Sequence, residues 1–223
     1  HGKNKGVALT VDSSSHYCLA DPITGGKQVV CEAWRNLISV GSKPIAITNC
    51  LNFGNPEKYE IMGQFVETID GISQACKYLD FPVVSGNVSF YNETQSKAIP
   101  PTPTIGGVGL IKNLDYMMTI NLKEIGSYIL VVGKTLGHLW QSEFFREVLE
   151  IKDGPPPEIN LFNEKNNGIL IRTLISKKLV NSVHDISSGG ILVALSEMCI
   201  SGKIGAKIKV PRNNISPHEY LFG

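Results

Sequence analysis

The chain has 223 residues, enough for one large or two modest domains and for a sizeable buried core. With 42% hydrophobic and 18% charged residues it has the composition of an ordinary globular protein, and a formal net charge of +1 argues against a large electrostatic footprint for nucleic acid or an anionic membrane. No apolar run approaches the roughly 20 residues that span a bilayer, and no signal-peptide pattern opens the chain.

In chain order, residues 7–11 read as a strand, followed by a polar loop over 12–16. Asp21-Pro22-Ile23-Thr24-Gly25-Gly26-Lys27 reads as a turn entering a helix. In that helix Val30, Ala33, Trp34, Leu37 and Ile38 recur at helical spacing, and Gly41 is a natural stop. Thr24 to Lys27 lacks the G-x-x-x-x-G-K-[ST] frame of a phosphate loop, so a helix-entry turn is the better account. Pro44 opens a strand over 45–48, which ends in an amide-rich loop over 49–56. Pro56 and Glu57 start a helix with Met62, Phe65, Val66, Ile69, Ile72, Cys76 and Leu79 on one stripe; Gly63 and Gly71 inside it point to close packing. A strand over 82–85 stops at Gly86 in a tight polar turn. Three prolines make 98–104 an extended loop, and 105–111 is a glycine-rich strand.

A second unit follows. Strands are expected at 116–120, 128–132, 180–183 and 204–210, and helices over about 137–150, 162–178 and from 191. The predicted domains are 1–113 and 114–223, the second cut short. The chain begins His1-Gly2-Lys3 without Met and ends Tyr220-Leu221-Phe222-Gly223 without a polar tail, so it is expected to be a fragment. Cys18, Cys31, Cys50, Cys76 and Cys199 are odd in number, scattered and never in a C-x-x-C pair, which argues against a disulfide framework or zinc site and fits a reducing cytoplasm. Cys31 and Cys76 sit on apolar helix faces as small core residues.

The richest stretch is Val83-Val84-Ser85-Gly86-Asn87-Val88-Ser89-Phe90-Tyr91-Asn92-Glu93. Gly86 lets a ligand approach the backbone, Asn87 offers a hard oxygen suited to Mg²⁺, and Ser89 offers a hydroxyl for a phosphate or sugar. A surface hairpin turn accounts for the same residues. His184-Asp185-Ile186-Ser187-Ser188-Gly189-Gly190 precedes a helix, where free amides favour a phosphate or where a serine simply caps. One His beside one Asp is more simply a satisfied structural pair. Glu57, Glu60 and Glu67 read as solvated, Glu93 and Asp115 as isolated. The five histidines, His1, His16, His138, His184 and His218, show no ligand spacing, and no nucleophile–His set is present. No proton-transfer residue is evident.

Six motifs occur in order: Asp21-Pro22-x-x-Gly25-Gly26-Lys27, Glu32-Ala33-x-Arg35-Asn36, Leu51-Asn52-Phe53-Gly54-Asn55-Pro56-Glu57-Lys58, Ser85-Gly86-Asn87-Val88-Ser89-x-Tyr91-Asn92-Glu93, Pro101-Thr102-Pro103, and His184-Asp185-x-Ser187-x-Gly189-Gly190. Together, over nearly the whole chain, they resemble the phosphoribosylformylglycinamidine synthase family, synthetase subunit. The helix-entry glycines are shared with the wider aminoimidazole ribonucleotide synthetase superfamily.

The resemblance implies an α/β (α+β) fold: a ferredoxin-like N-terminal domain whose sheet forms a barrel-like interface with the family's other half, then a C-terminal α/β domain. It implies the second of two tandem halves of an ATP-dependent ligase that converts formylglycinamide ribonucleotide and ammonia to formylglycinamidine ribonucleotide in purine biosynthesis. On it, Asn49 and Gly86 contact ATP, Asn87 ligates Mg²⁺, and Ser89 touches the substrate. No catalytic residue falls in this chain, because the missing N-terminal half carries it. Implied partners are that half, a glutaminase subunit and a small bridging subunit, in the cytoplasm. One departure is Asn49, where the family often has Asp. His184 to Gly190 would belong to a pseudo-symmetric site, either for an auxiliary nucleotide or structural. The alternatives are another synthetase of the superfamily, or a non-catalytic nucleotide-binding or scaffold half.

Overall fold

Alternation of small or polar residues with β-branched and leucine side chains makes Gly6–Ser13 a strand, β1. The computed structural model describes residues 3–210 and 214–223. After β1 comes a short helix, α1 (Ser15–Ala20), beginning inside the expected polar loop. Helix α2 (Pro22–Ser39) follows at once. Asp21 caps it: Oδ1 accepts the Thr24 N–H at 3.0 Å and Oδ2 accepts the Thr24 hydroxyl at 2.9 Å. Gly25 and Gly26 therefore lie inside the helix, not in an entry turn. They serve close approach. A Cβ on Gly25 would stand 2.4 Å from the Cys18 backbone nitrogen, and one on Gly26 2.4 Å from the Thr68 carbonyl.

Helix α3 (Tyr59–Leu79) buries Ile61, Thr68, Gly71, Ile72, Ala75, Cys76 and Leu79. Gly71 lies against α2, where a Cβ would stand 2.1 Å from the Ile23 carbonyl; Gly63 faces open space, so the close-packing expectation fails there. The buried stripe is also narrower than expected, because Met62 and Val66 are exposed.

Strand β2 (Lys43–Asn52) and strand β3 (Val83–Ser89) both run past the points where turns were expected. They pair in parallel, and their ladder continues through Asn49, Gly86 and Asn87. A two-residue turn at Gln95 and Ser96, both at positive φ, joins β4 (Glu93–Thr94) to β5 (Lys97–Ala98). Strand β6 (Thr102–Ile111) takes in Pro103, which was expected in a loop. The β1–β6 ladder ends at Ser13 and Thr104, so on that side the strand is already an edge at Pro103, where a missing N–H is tolerated. The sheet order is β1-β6-β2-β3, antiparallel except for β2 with β3.

Helices α2 and α3 cover one face of this sheet. Val29, Val30, Leu37, Ile47, Leu51, Phe53, Ile72, Phe81 and Ile105 form the core there, with the buried Cys31 and Cys76 as expected. Burial raises both thiols well above their ordinary range, Cys76 to about 11. The opposite face of β1 is apolar yet open: Val7, Leu9 and Val11 are 68%, 74% and 74% exposed.

The second unit departs most from expectation. None of 116–120, 128–132, 180–183 or 204–210 forms a strand. A single bond links two of these runs, from the Val183 N–H to the Thr119 carbonyl at 3.4 Å, and the Ser182 hydroxyl reaches the Asn121 carbonyl just beyond at 2.5 Å, but no ladder develops. Of the helix expected over 137–150, only a π-helical turn at Phe144–Val148 forms. Gly137 and Gln141 sit at φ +76° and +62°, incompatible with a continuous right-handed helix. Helix α4 (Leu161–Ser176) and helix α5 (Gly190–Gly202) match expectation, and α6 (Pro217–Phe222) ends the chain. Gly168 of α4 receives Trp34 of α2, whose ring lies 2.1 Å from where a Gly168 Cβ would stand. Among the described residues no helix is long and apolar enough to cross a membrane.

Candidate functional site

The parallel register brings the four predicted site residues to one junction. Asn49 pairs with Gly86, Cys50 with Asn87, and Asn52 with Ser89. Successive strand residues face opposite sides, so the junction has two faces. Asn49 shares the helix-side face with the buried Leu51 and lines a small hollow of about 380 Å³ with Ile69, Ile72, Cys76, Phe81 and Pro82. Gly86 lies beside it, and a Cβ there would stand 1.9 Å from Asn49 Oδ1. Asn87 and Ser89 fall on the open face with Cys50 and Asn52, beside Thr102 and Thr104 of β6, which pair with Asn52 and Cys50.

Among the described residues neither the Asn49 nor the Asn87 amide makes an intramolecular hydrogen bond, so both are free for a ligand. Ser89 is held instead. Asn92 Nδ2 lies 3.0 Å from the Phe53 carbonyl, 3.0 Å from the Ser89 carbonyl and 3.1 Å from the Ser89 hydroxyl. The ends of β2 and β3 are tied further by the Phe53 N–H to the Ser89 carbonyl at 3.0 Å and the Asn92 N–H to the Phe53 carbonyl at 3.1 Å. Glu93 is not isolated: Lys58 Nζ meets its Oε1 at 2.6 Å, joining the two motif loops across the surface. Both pairings were hidden in motifs that the sequence presents only as strings. Glu57, Glu60 and Glu67 are exposed, as expected.

The residues fit an ATP-bound Mg²⁺ in one respect. This ion favours oxygen ligands and keeps several waters, so one neutral amide beside nucleotide phosphates is a sufficient protein share. No group of three or more His, Cys, Asp or Glu among the described residues could hold a metal by itself, and His1 lies outside them.

The His184 motif is built differently. His184 Nδ1 meets Asp185 Oδ1 at 3.0 Å and Nε2 meets Glu197 Oε2 at 2.9 Å. The hydrogen bond to Asp185 is the main cause that raises the His184 pKa, against the opposing effect of burial. Burial pushes Asp185 up, but His184 and Arg35 more than offset it, so its carboxyl stays below the ordinary range. Both ring nitrogens of His184 thus have carboxylate partners, as the structural reading expects. Ser188 donates to Glu143 Oε1 at 3.1 Å, and a Cβ on Gly190 would stand 2.5 Å from Phe222 Cα. The start of α5 is thus packed against α6.

A large cleft of about 1820 Å³ separates α1 and α2 from the second unit, and none of Asn49, Gly86, Asn87 or Ser89 lines it. Arg35 stands at its wall, with Nε 3.3 Å from Glu164 Oε1. Burial lowers the Arg35 pKa, but Glu164, Cys31, Glu32 and Asp185 raise it above its ordinary value. Burial also pushes Glu32 and Glu164 upward despite Arg35. The Arg35–Glu164 ion pair ties α2 to α4.

Residues 1–111 match the model for AIR synthase related protein, N-terminal domain, and residues 124–223 that for AIR synthase related protein, C-terminal domain. The chain is 63% identical over all 223 residues to phosphoribosylformylglycinamidine synthase subunit PurL of Pelagibacter ubique, covering 30% of it. It is similar to the solved structure of Thermotoga maritima PurL complexed with ATP, with TM-score 0.65 and 27% identity over 99% of this chain and 32% of that one. Its likeness to T. maritima PurL complexed with FGAR has TM-score 0.57 and 26% identity, over 78% of this chain and 24% of that one. The chain therefore spans about 30% of the length of the curated relatives it matches.

Proposed function

The chain belongs to the AIR synthase related protein family, and we propose that it is part of an ATP-dependent C–N ligase, the synthetase that makes formylglycinamidine ribonucleotide in purine biosynthesis. The observation that carries this is the β2–β3 register, which gathers Asn49, Gly86, Asn87 and Ser89 at one strand junction. Relatives complexed with ATP and with FGAR support the choice of ligands. The Asn49 amide and the exposed Gly86 backbone would contact ATP. Asn87 would give Mg²⁺ one oxygen, and the ion would spread the charge of the transferring phosphoryl group. Ser89 would hold formylglycinamide ribonucleotide.

In the proposed reaction the carbonyl oxygen of the substrate's glycinamide group attacks the γ-phosphorus of ATP and ADP leaves, with the formyl group untouched. Ammonia then adds to the activated carbon, and phosphate departs with the oxygen. The chain would bind and orient; the proton-transfer groups would sit on an N-terminal half. The open apolar face of Val7, Leu9 and Val11 supports a sheet-to-sheet, barrel-like interface with that half, through a ferredoxin-like first domain of residues 1–113. A glutaminase and a small bridging subunit would complete a cytoplasmic assembly.

The test is ammonia-dependent ADP formation with substrate, compared between the full-length protein and residues 1–223 alone. The full-length protein should turn over and the isolated chain should not. Robust turnover by the isolated chain would overturn the half-site reading.

A further inference from the structure

We propose that Asn92 is a positioning residue that fixes the Ser89 hydroxyl as a hydrogen-bond donor toward the bound substrate. This rests on the reading of Ser89 as a substrate contact.

The orientation of the Asn92 amide is not arbitrary. Two backbone carbonyls, of Phe53 and Ser89, each lie 3.0 Å from Nδ2. A side-chain oxygen in that place would face two acceptors with no donor between them, so the NH₂ group must point there. The same nitrogen is 3.1 Å from Ser89 Oγ, so its two hydrogens serve three acceptors and the one toward the Ser89 carbonyl is shared with the serine oxygen. The alternative, the hydroxyl donating to Asn92 Oδ1, spans a longer 3.4 Å. With its oxygen engaged by Nδ2, the serine keeps its own O–H free to turn outward. A substrate oxygen, whether phosphate or carbonyl, is the matching acceptor.

Asn92 is itself held. Its N–H donates to the Phe53 carbonyl at 3.1 Å, and its carbonyl accepts from the Ile99 N–H at 3.1 Å. Tyr91 before it sits at φ +59°, a left-handed turn that an L residue adopts only when its surroundings fix it. The Tyr91 N–H to the Gly54 carbonyl, at 2.9 Å, supplies that. The side chain that aims Ser89 therefore stands on a backbone tied to the end of β2.

The test is a double-mutant cycle in the full-length protein, with KM for formylglycinamide ribonucleotide, KM for ATP, kcat and thermal midpoint read for each variant. Ser89→Ala should raise substrate KM about 10-fold or more. Asn92→Asp, which keeps the shape and removes both donors, should do the same while KM for ATP stays within about twofold. In the Ser89→Ala background it should add less than about twofold, because Asn92 acts through Ser89. Asn92→Ala, which removes the amide without adding charge, serves if the aspartate variant does not fold. Full additivity, or an equal rise in KM for ATP, would reduce Asn92 to a structural tie and overturn the proposal with Ser89 still a contact. An unchanged substrate KM in Ser89→Ala would overturn the substrate reading of Ser89, and the proposal with it.

Discussion

Asn49 and Gly86 face each other across β2 and β3, and the side-chain oxygen of Asn49 fills the space a Gly86 Cβ would take, 1.9 Å from its centre. The same Cβ would meet the Asn49 carbonyl oxygen at 2.8 Å, so rotating the Asn49 side chain alone does not make room. Glycine at 86 is thus a condition for the Asn49 amide to stand where it does. Gly86→Ala should cost about 1–3 kcal/mol of stability. It should also raise KM for ATP about 10-fold or more, by displacing an amide that has no other partner among the described residues. Thermal unfolding and ATP titration of the rate check this. A stability loss with an unchanged KM for ATP would remove Asn49 from the nucleotide site.

His184, between Asp185 and Glu197, should give a stability term with a definite sign. Its pKa is raised in the folded chain, chiefly by the Asp185 hydrogen bond. The imidazolium therefore stabilises fully below the ordinary histidine value of 6.5, and that contribution is lost as pH rises through the higher folded value. His184→Gln should lower the thermal midpoint more at about pH 6 than at about pH 9. An equal loss at both would mean that packing, not charge, holds His184.

Trp34 closes on Gly168 where α2 meets α4, at 2.1 Å from where a Cβ would stand. Gly168→Ala must push the indole or the helix aside. A loss of about 1–3 kcal/mol in chemical denaturation is expected, with a shift in tryptophan emission. Unchanged stability and emission would show that this contact is not tightly packed.

Much of the first unit was legible in the sequence because its elements bury one face. The 3.6-residue recurrence in α2 and α3 follows directly from that, whereas β1 was legible from its β-branched residues although Val7, Leu9 and Val11 are exposed. The extents of β2 and β3 were not legible. Asn49, Gly86 and Asn87 have the chemistry of turns, and only pairing with each other, 37 residues apart in sequence for Asn49 and Gly86, makes them strand residues. Asn92 shows the same limit, since its role depends on the carbonyl of Phe53 on another strand end. In the second unit, residues 128–132 and 204–210 have strand composition but find no ladder, and composition cannot supply a neighbour.

The nature of the site at Gly86 rests most directly on Asn87, an exposed amide with no partner of its own among the described residues. The decisive measurement is ammonia-dependent ADP formation by full-length Asn87→Ala protein across a Mg²⁺ titration. Stability should change by less than about 0.5 kcal/mol, because the residue is exposed. The Mg²⁺ concentration for half-maximal rate should rise at least about 10-fold. An unchanged rate at every Mg²⁺ concentration would make Asn87 an ordinary strand residue and contradict a nucleotide–metal site at this junction.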